Sequence, residues 1–173
     1  GVGAFEDGMK DLKAKNLDIV IKEFSQTGKP LLGICLGMQL SMTSSQENGK
    51  HLGLDLISGD VVRFTTPNNE KSNYKIPQIG WNELLMPDKK QNPLLMNRWN
   101  DSILDGIDES SYMYFLHSYY VIPDDANICV AQTSYGRDIF CSVFQKENII
   151  GCQFHPERSG EQGLKILQNF VAL

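Results

Sequence analysis

The chain has 173 residues, about one domain's worth, of which 41% are hydrophobic and 21% charged. Its 16 Lys+Arg against 21 Asp+Glu leave a net charge of −5, the wrong sign for a surface built to neutralise phosphates. No apolar run approaches the ~20 residues of a membrane helix and no signal peptide is visible. The expectation is a cytoplasmic globular domain that engages neither membrane nor nucleic acid.

From Glu6 to about Thr27 the pattern predicts one helix, with Met9, Leu12, Leu17, Val20, Ile21 and Phe24 recurring at spacings of three and four. Gly28 is a candidate C-cap and Pro30 lies just beyond. Leu31-Leu32-Gly33-Ile34 reads as a short buried strand, followed at once by a second helix through about Glu47. Between Leu52 and Trp81, β-branched and aromatic residues predict strands around a polar loop, Thr66 to Asn73. Tyr112–Ile122, Ile128–Ser134, Phe140–Phe144 and Ile149–Phe154 also read as strands, with turn punctuation such as Tyr135-Gly136-Arg137-Asp138. The terminal segment from Gly163 predicts an amphipathic helix with Leu164, Leu167 and Val171 on one face and Ile166 and Phe170 beside them. No linker or repeat divides the chain. The elements add up to a single α/β domain, residues 1–173, with a mixed sheet.

The four cysteines, Cys35, Cys129, Cys141 and Cys152, form no C-x-x-C pair and no metal-ligand spacing with the three histidines. Neither a disulfide framework nor a metal site is expected, and reduced thiols packing as small hydrophobes are the simplest reading for three of them. Cys35 stands apart. Gly33-Ile34-Cys35-Leu36-Gly37 has the G-x-nucleophile-x-G form between a predicted strand and a predicted helix. On so tight a turn a side chain at either flanking glycine is expected to clash with the adjoining elements. The helix N-terminus is expected to favour thiolate, and the leading amide, that of Leu36, to stabilise an oxyanion.

A thiol nucleophile needs a base and a group to orient that base. Gly151-Cys152-Gln153-Phe154-His155-Pro156-Glu157 supplies both types. In an extended segment His155 and Glu157 face one way, with Pro156 restricting the backbone between them.

Taken together, Gly33 to Gln39 and Gln153 to Glu157 resemble the two signature blocks of class I, triad-type glutamine amidotransferases. Ile76-Pro77-Gln78-Ile79-Gly80-Trp81-Asn82 and Tyr114-Phe115-Leu116-His117-Ser118-Tyr119-Tyr120 are similar to blocks of the glutaminase subunits of imidazole glycerol phosphate synthase. The opening Gly1-Val2-Gly3-Ala4-Phe5 resembles the end of their Pro-Gly-Val-Gly oxyanion strand, and Ser159 to Phe170 fits their terminal helix.

The resemblance implies a flavodoxin-like architecture, a mixed and mostly parallel central sheet flanked by helices. It also implies roughly 50 residues of sheet-forming chain ahead of Gly1, so that a longer native polypeptide is expected. By the same resemblance Cys35 attacks the side-chain amide of glutamine, His155 delivers a proton to departing ammonia, and Glu157 orients His155. Oxyanion donors would be the amide of Leu36 and one from the Val2–Gly3 turn. Gln39 and Glu47 match positions holding the α-amino-acid end of the substrate. Ser118 and Tyr119 match the pocket lining, and otherwise read as an ordinary strand end. No cofactor is implied. The implied partner is a (βα)8-barrel cyclase in a heterodimer, with Trp81, Asn82, Tyr114 and Arg158 at the interface, although Trp81 also reads as core.

Two residues depart from the family pattern: Gln78 stands where His is usual, and Arg158 where Lys is usual, both expected near the partner face. Competing readings are a paralogous subunit supplying ammonia for amidination of a bacterial surface-polysaccharide sugar, a free-standing γ-glutamyl hydrolase, and a non-catalytic scaffold. The last would normally have lost one of Cys35, His155 or Glu157. His51 receives no role, and His117 reads as structural.

Overall fold

A computed structural model describes residues 2–66, 74–87 and 99–173. Among the described residues four α-helices flank three groups of strands: α1 (Phe5–Ala14), α2 (Leu17–Ser25), α3 (Leu36–Leu40) and α4 (Gly160–Val171). The strands are β1 (Leu31–Ile34), β2 (Met42–Ser45), β3 (His51–Leu52), β4 (Ile57–Arg63), β5 (Gln78–Glu83), β6 (Tyr112–His117), β7 (Tyr119–Pro123), β8 (Cys129–Tyr135), β9 (Asp138–Lys146) and β10 (Ile149–Cys152). One sheet runs β1-β10-β9-β8, a second β3-β2-β4-β7, and β5-β6 form a two-stranded ribbon.

The α/β class with a mixed sheet is as expected. Among the described residues the parallel pairings are β1 with β10 and β2 with β4, and the remaining pairings are antiparallel. The parallel share is thus smaller than the resemblance implied. The cause is local: β8, β9 and β10 follow one another through tight turns at Gly136 (φ 62°) and Glu147 (φ 53°), and short turns join only antiparallel strands.

Several predicted elements are redrawn. The front helix is two helices, broken where Asn16 takes a left-handed conformation (φ 55°). The break resets the helical phase. Phe5 and Met9 of α1 are buried, whereas α2 buries none of its residues and leaves Leu17, Val20 and Phe24 exposed. The second helix is five residues long rather than reaching Glu47. Ser41 Oγ donates to Met38 O at 2.6 Å, and Met42–Ser45 pairs with β4 as a strand. Tyr112–Ile122 is two strands, parted at Ser118 between the ribbon and the second sheet. In α4 the buried residues are Gly163 and Ile166, with Leu167 and Phe170 partly buried, while Leu164 and Val171 are 56% and 83% exposed. The expected face is rotated because Gly163 lies against the carbonyl of Pro156, so that side of the helix turns inward. Apart from Thr66, the predicted polar loop to Asn73 lies outside the described residues.

Two apolar clusters form the core. One gathers Phe64, Phe115, Phe140, Phe154 and Ile166 with Trp99, Ile103 and Leu104, and the other Phe5, Met38, Met42, Ile57, Val61 and Phe144. Each such side chain contributes roughly 1.5–3 kcal/mol when fully buried. Cys129, Cys141 and Cys152 belong to these clusters as free thiols. Among the described residues no helix is long and apolar enough to cross a membrane.

Candidate active site

The β1–β10 pairing builds the site. Its register sets Gly33 beside Gly151 and Ile34 beside Cys152, and the Cys35 N–H donates to Cys152 O at 2.8 Å. Cys35 therefore leaves β1 where the chain carrying His155 leaves β10. The turn is strained: Cys35 adopts φ 49°, ψ −106°, a conformation that costs an L-residue about 1–3 kcal/mol. It is possible because Gly33 has no side chain. A Cβ there would stand 2.7 Å from the Gly37 carbonyl carbon and 2.8 Å from Met38 N. Gly37 is different. A Cβ on it would meet nothing within 4 Å, so only the first flanking glycine is demanded by packing.

Burial pushes the Cys35 thiol above its usual pKa, outweighing the hydrogen bonds from the Leu36 N–H and Gln153 that favour thiolate. The Leu36 N–H at the start of the following helix does favour thiolate, as expected, but it is outweighed because the sulfur is nearly dry. The thiol contacts Leu116 O at 3.7 Å, and Gln153 Nε2 lies 3.5 Å from Sγ.

His155 and Glu157 meet as expected, but not through extended backbone. Pro156 starts a 3₁₀ turn, Pro156–Arg158, and Glu157 folds back so that its Oε1 accepts from His155 Nδ1 at 2.8 Å. This pairing puts a proton on Nδ1, and Nε2 is a buried nitrogen without a protein partner. Two backbone contacts brace the histidine against β6: its N–H donates to Tyr114 O at 2.9 Å, and Ser159 Oγ joins Tyr114 N to His155 O.

A cavity of about 320 Å³ opens at the elbow. Its wall includes Val2, Gly3, Cys35, Leu36, Gln39, Glu47, Ser118 and Tyr119, which gathers eight sequence-predicted positions from distant parts of the chain. His155 is buried and does not line it. Glu47 Oε2 accepts the Phe5 N–H at 2.7 Å, tying the opening segment to the cavity and leaving its other oxygen unassigned. Gln39 Nε2 is engaged within the protein, donating to Tyr119 O at 2.8 Å and Gln153 Oε1 at 3.1 Å.

The expected interface residues divide. Trp81 is 55% exposed, which removes the core reading, and packs edge-on against its cross-strand partner Tyr114 at 6.1 Å. The Arg158 guanidinium lies 5.0 Å over the Tyr114 ring. Asn82 points to the other face of the ribbon, where Nδ2 donates to Ser134 O at 2.9 Å, as strand alternation requires. Gln78 is likewise interior rather than at a partner face, since it is buried opposite His117.

Pro77, Leu116 and His117 line the cavity and Gln153 reaches Sγ, placements that the sequence patterns do not predict. Gln153 was legible in principle, two residues before His155 at the end of a strand. His117 lines the cavity, donates from Nδ1 to Tyr119 O at 2.8 Å, and has its pKa pushed down to about 4 by burial. Only the turn at Ser118 reveals this placement.

The chain matches the family described as glutamine amidotransferase class-I over residues 2–173. It is 45% identical over 173 residues to the imidazole glycerol phosphate synthase subunit HisH 1 of Legionella pneumophila (strain Paris), covering all of this chain and 78% of that protein. It is 42% identical over 170 residues to the subunit HisH of Aquifex aeolicus (strain VF5), covering 98% of this chain and 73% of that protein. A crystal structure of a glutamine amidotransferase from Thermotoga maritima shares the fold with a TM-score of 0.56 at 16% identity, and the alignment spans 99% of this chain but 60% of that one. With elbow, cavity and relatives in agreement, the chain belongs to the class-I glutamine amidotransferase family of enzymes, among relatives named as HisH subunits of imidazole glycerol phosphate synthase.

Proposed function

We propose that residues 1–173 act as one glutaminase domain, hydrolysing glutamine to glutamate and ammonia for a (βα)8-barrel cyclase that makes imidazole glycerol phosphate in histidine biosynthesis. The observation that carries the reading is the pairing of His155 Nδ1 with Glu157 at 2.8 Å, on the segment that leaves β10 next to the end of β1 that bears Cys35.

In the first half-reaction His155 Nε2 takes the Cys35 proton and the sulfur attacks the side-chain carbonyl carbon of glutamine. The charge on the carbonyl oxygen falls to the Leu36 N–H and to a backbone N–H of the Val2–Gly3 segment. The intermediate collapses as His155 returns the proton to the leaving nitrogen, and ammonia departs from a glutamyl thioester. In the second half-reaction water gives a proton to His155 and attacks the thioester. Glutamate leaves and the thiol is restored. Glu157 holds the imidazole in one tautomer and supports the imidazolium formed twice per turnover. Glu47 faces the substrate ammonium with its second oxygen, and Ser118 and Tyr119 bound the remaining amino-acid end. Gln39 shapes that wall through its bond to Tyr119.

Ammonia released into water is lost to the acceptor reaction, so a docking surface close to Cys35 is required. The exposed face of the ribbon carries Ile79, Trp81 and Tyr112 beside Tyr114 and Arg158, and its strand β6 leads to Leu116, which contacts the sulfur. Large aromatics at such a face are the usual anchors of affinity.

The test is glutamate release by the chain alone and with a barrel cyclase carrying its ribonucleotide substrate, beside Cys35→Ala. Strong stimulation that vanishes in Cys35→Ala is expected. Turnover that ignores the cyclase would move the acceptor elsewhere, to a polysaccharide sugar or to water. Undiminished turnover by Cys35→Ala would overturn the triad.

A further inference from the structure

Gln153 is fully buried, and the triad chemistry gives it no task. Its orientation is fixed from a distance. The Tyr119 carbonyl can only accept a hydrogen bond, so the Gln39 group 2.8 Å from it is the NH₂. The second hydrogen of that NH₂ goes to Gln153 Oε1 at 3.1 Å. The Gln153 NH₂ is therefore the group 3.5 Å from Cys35 Sγ. Exchanging O and N in Gln39 would set two carbonyl oxygens together, and exchanging them in Gln153 would set two NH₂ groups together, so no amide flip is compatible with the chain of bonds.

We infer that Gln153 is the side-chain donor that carries the Cys35 sulfur in its thiolate form, and that Gln39 is the residue that positions it. The inference rests on the reading of Cys35 as the nucleophile. The sulfur lies between two kinds of partner. Leu116 O, at 3.7 Å, can only accept and suits the thiol; Gln153 Nε2 can only donate and suits the thiolate. When the proton passes from Sγ to His155 Nε2, the bond to Leu116 O is lost and the bond from Gln153 becomes charge-assisted, a class roughly twice as strong as its neutral counterpart. A buried anion without such a donor is costly, and burial already holds this thiol above its ordinary pKa. The relay also reaches the substrate wall, because Tyr119 lines the cavity. The titratable groups around the sulfur are Glu157 and Cys152 from the β10 side, His117 from β6 and Glu47 from the turn after β2, with His155 as the proton acceptor of the proposed chemistry, and none is altered by the changes that test the idea.

The experiment is the pH dependence of Cys35 alkylation by iodoacetamide, read on the Cys35 peptide by mass spectrometry in the wild-type chain, Gln153→Leu and Gln39→Leu. Each protein's thermal melt is recorded alongside. Gln153→Leu is expected to raise the midpoint by about one pH unit, roughly tenfold less labelling near neutrality, and Gln39→Leu to raise it by about half as much. Turnover in the presence of the partner should fall through kcat while KM for glutamine holds in Gln153→Leu, a split that loosened packing would not give. A folded Gln153→Leu with an unmoved midpoint overturns the proposal. If Gln153→Leu does not fold, Gln153→Met takes its place: it keeps the length and flexibility of the side chain but has no NH₂ and no charge, and an unmoved midpoint there overturns the proposal equally. Iodoacetamide needs no glutamine. Failure of the wild-type chain to release glutamate would therefore break the glutaminase reading while the midpoint shift still judged the role of Gln153.

Discussion

The seam between β1 and β10 and the ribbon of β5 and β6 meet at the same cavity but are built in opposite ways. At the seam most polar groups are held by partners within the chain: Cys35 N–H by Cys152 O, Gln39 by Tyr119 and Gln153, His155 Nδ1 by Glu157. On the ribbon the backbone is paired, yet one face leaves Ile79, Trp81 and Tyr112 to solvent. The contrast separates two demands on the enzyme. Chemistry needs groups held in one geometry before substrate arrives. Docking needs apolar surface that is left uncovered until a partner covers it.

The comparison breaks most severely at the seam. Gly33→Ala would drive a methyl group into the backbone of Gly37 and Met38, where no flexible side chain can yield. A loss of about 3 kcal/mol or more is expected, read as a lower urea midpoint together with lost Cys35 alkylation. Gly37→Ala is the control. Its Cβ meets open space within α3, so stability should hold or rise by up to about 1 kcal/mol, as for glycine replaced in a helix. Equal damage from both changes would mean that the elbow is not held by the close approach at Gly33.

Acid strikes where ribbon and seam join. His117 closes β6, donates to Tyr119 O and is held neutral by burial, its pKa lowered from 6.5 to about 4. Above pH 6.5 both folded and unfolded chains carry it uncharged and it adds no pH dependence. As pH falls from 6.5 towards 4 the unfolded chain takes up a proton that the folded chain refuses. Stability therefore drops across that window, by about 3 kcal/mol once pH is below the folded value. Urea titrations at pH 7, 5.5 and 4 should show this slope, and His117→Gln should flatten it by one proton's worth.

Glu157→Gln tests the seam's chemistry without touching its packing, because this side chain is half exposed. Turnover should fall roughly 10²-fold, as when a general base loses its orienting charge, while Cys35 remains open to alkylation by a glutamine-like electrophile. Undiminished turnover would mean that Nε2 needs no help from the carboxylate.

The sequence was most readable where short range decides. Leu31–Ile34 reads as a strand to the residue, and the G-x-C-x-G form announces a strained elbow because its first glycine is the residue type that the close approach of β1 to α3 requires. It was least readable where long range decides. Nothing local in Met42–Ser45 says strand, since its partner Ile57 is fifteen residues away, and the prediction of continuing helix failed there. At Lys15–Asn16 the only local sign of the break is an asparagine, a residue type that tolerates the left-handed region but also occurs within helices. The burial of Trp99, Ile103 and Leu104 went unread for the same reason, as did the inward turn of Gln78 opposite His117. In the site, residue types could be listed from the motifs. The amide relay through Gln39 and Gln153 depends on α3 meeting both β7 and the end of β10, which no spacing in the chain encodes.

The smallest expected effect on folding falls on the ribbon, and it sharpens the comparison best. Trp81 is more than half exposed and its clearest contact is the edge of Tyr114, an aromatic pair worth about 0.5–1.5 kcal/mol. Trp81→Ala should therefore shift the thermal midpoint only slightly. On the proposed reading its loss should appear elsewhere, as roughly a tenfold or greater weakening of binding to the proposed barrel partner, the scale for an interface anchor. Tyr114→Ala would add the loss of the Arg158 guanidinium stacked on its ring, so the two changes should not be additive. Calorimetric titration of the partner alongside a melt of the chain separates the two demands directly. Were Trp81→Ala to unfold the chain while leaving partner affinity intact, the ribbon would be core after all, and the distinction between a finished seam and an open face would have to be given up.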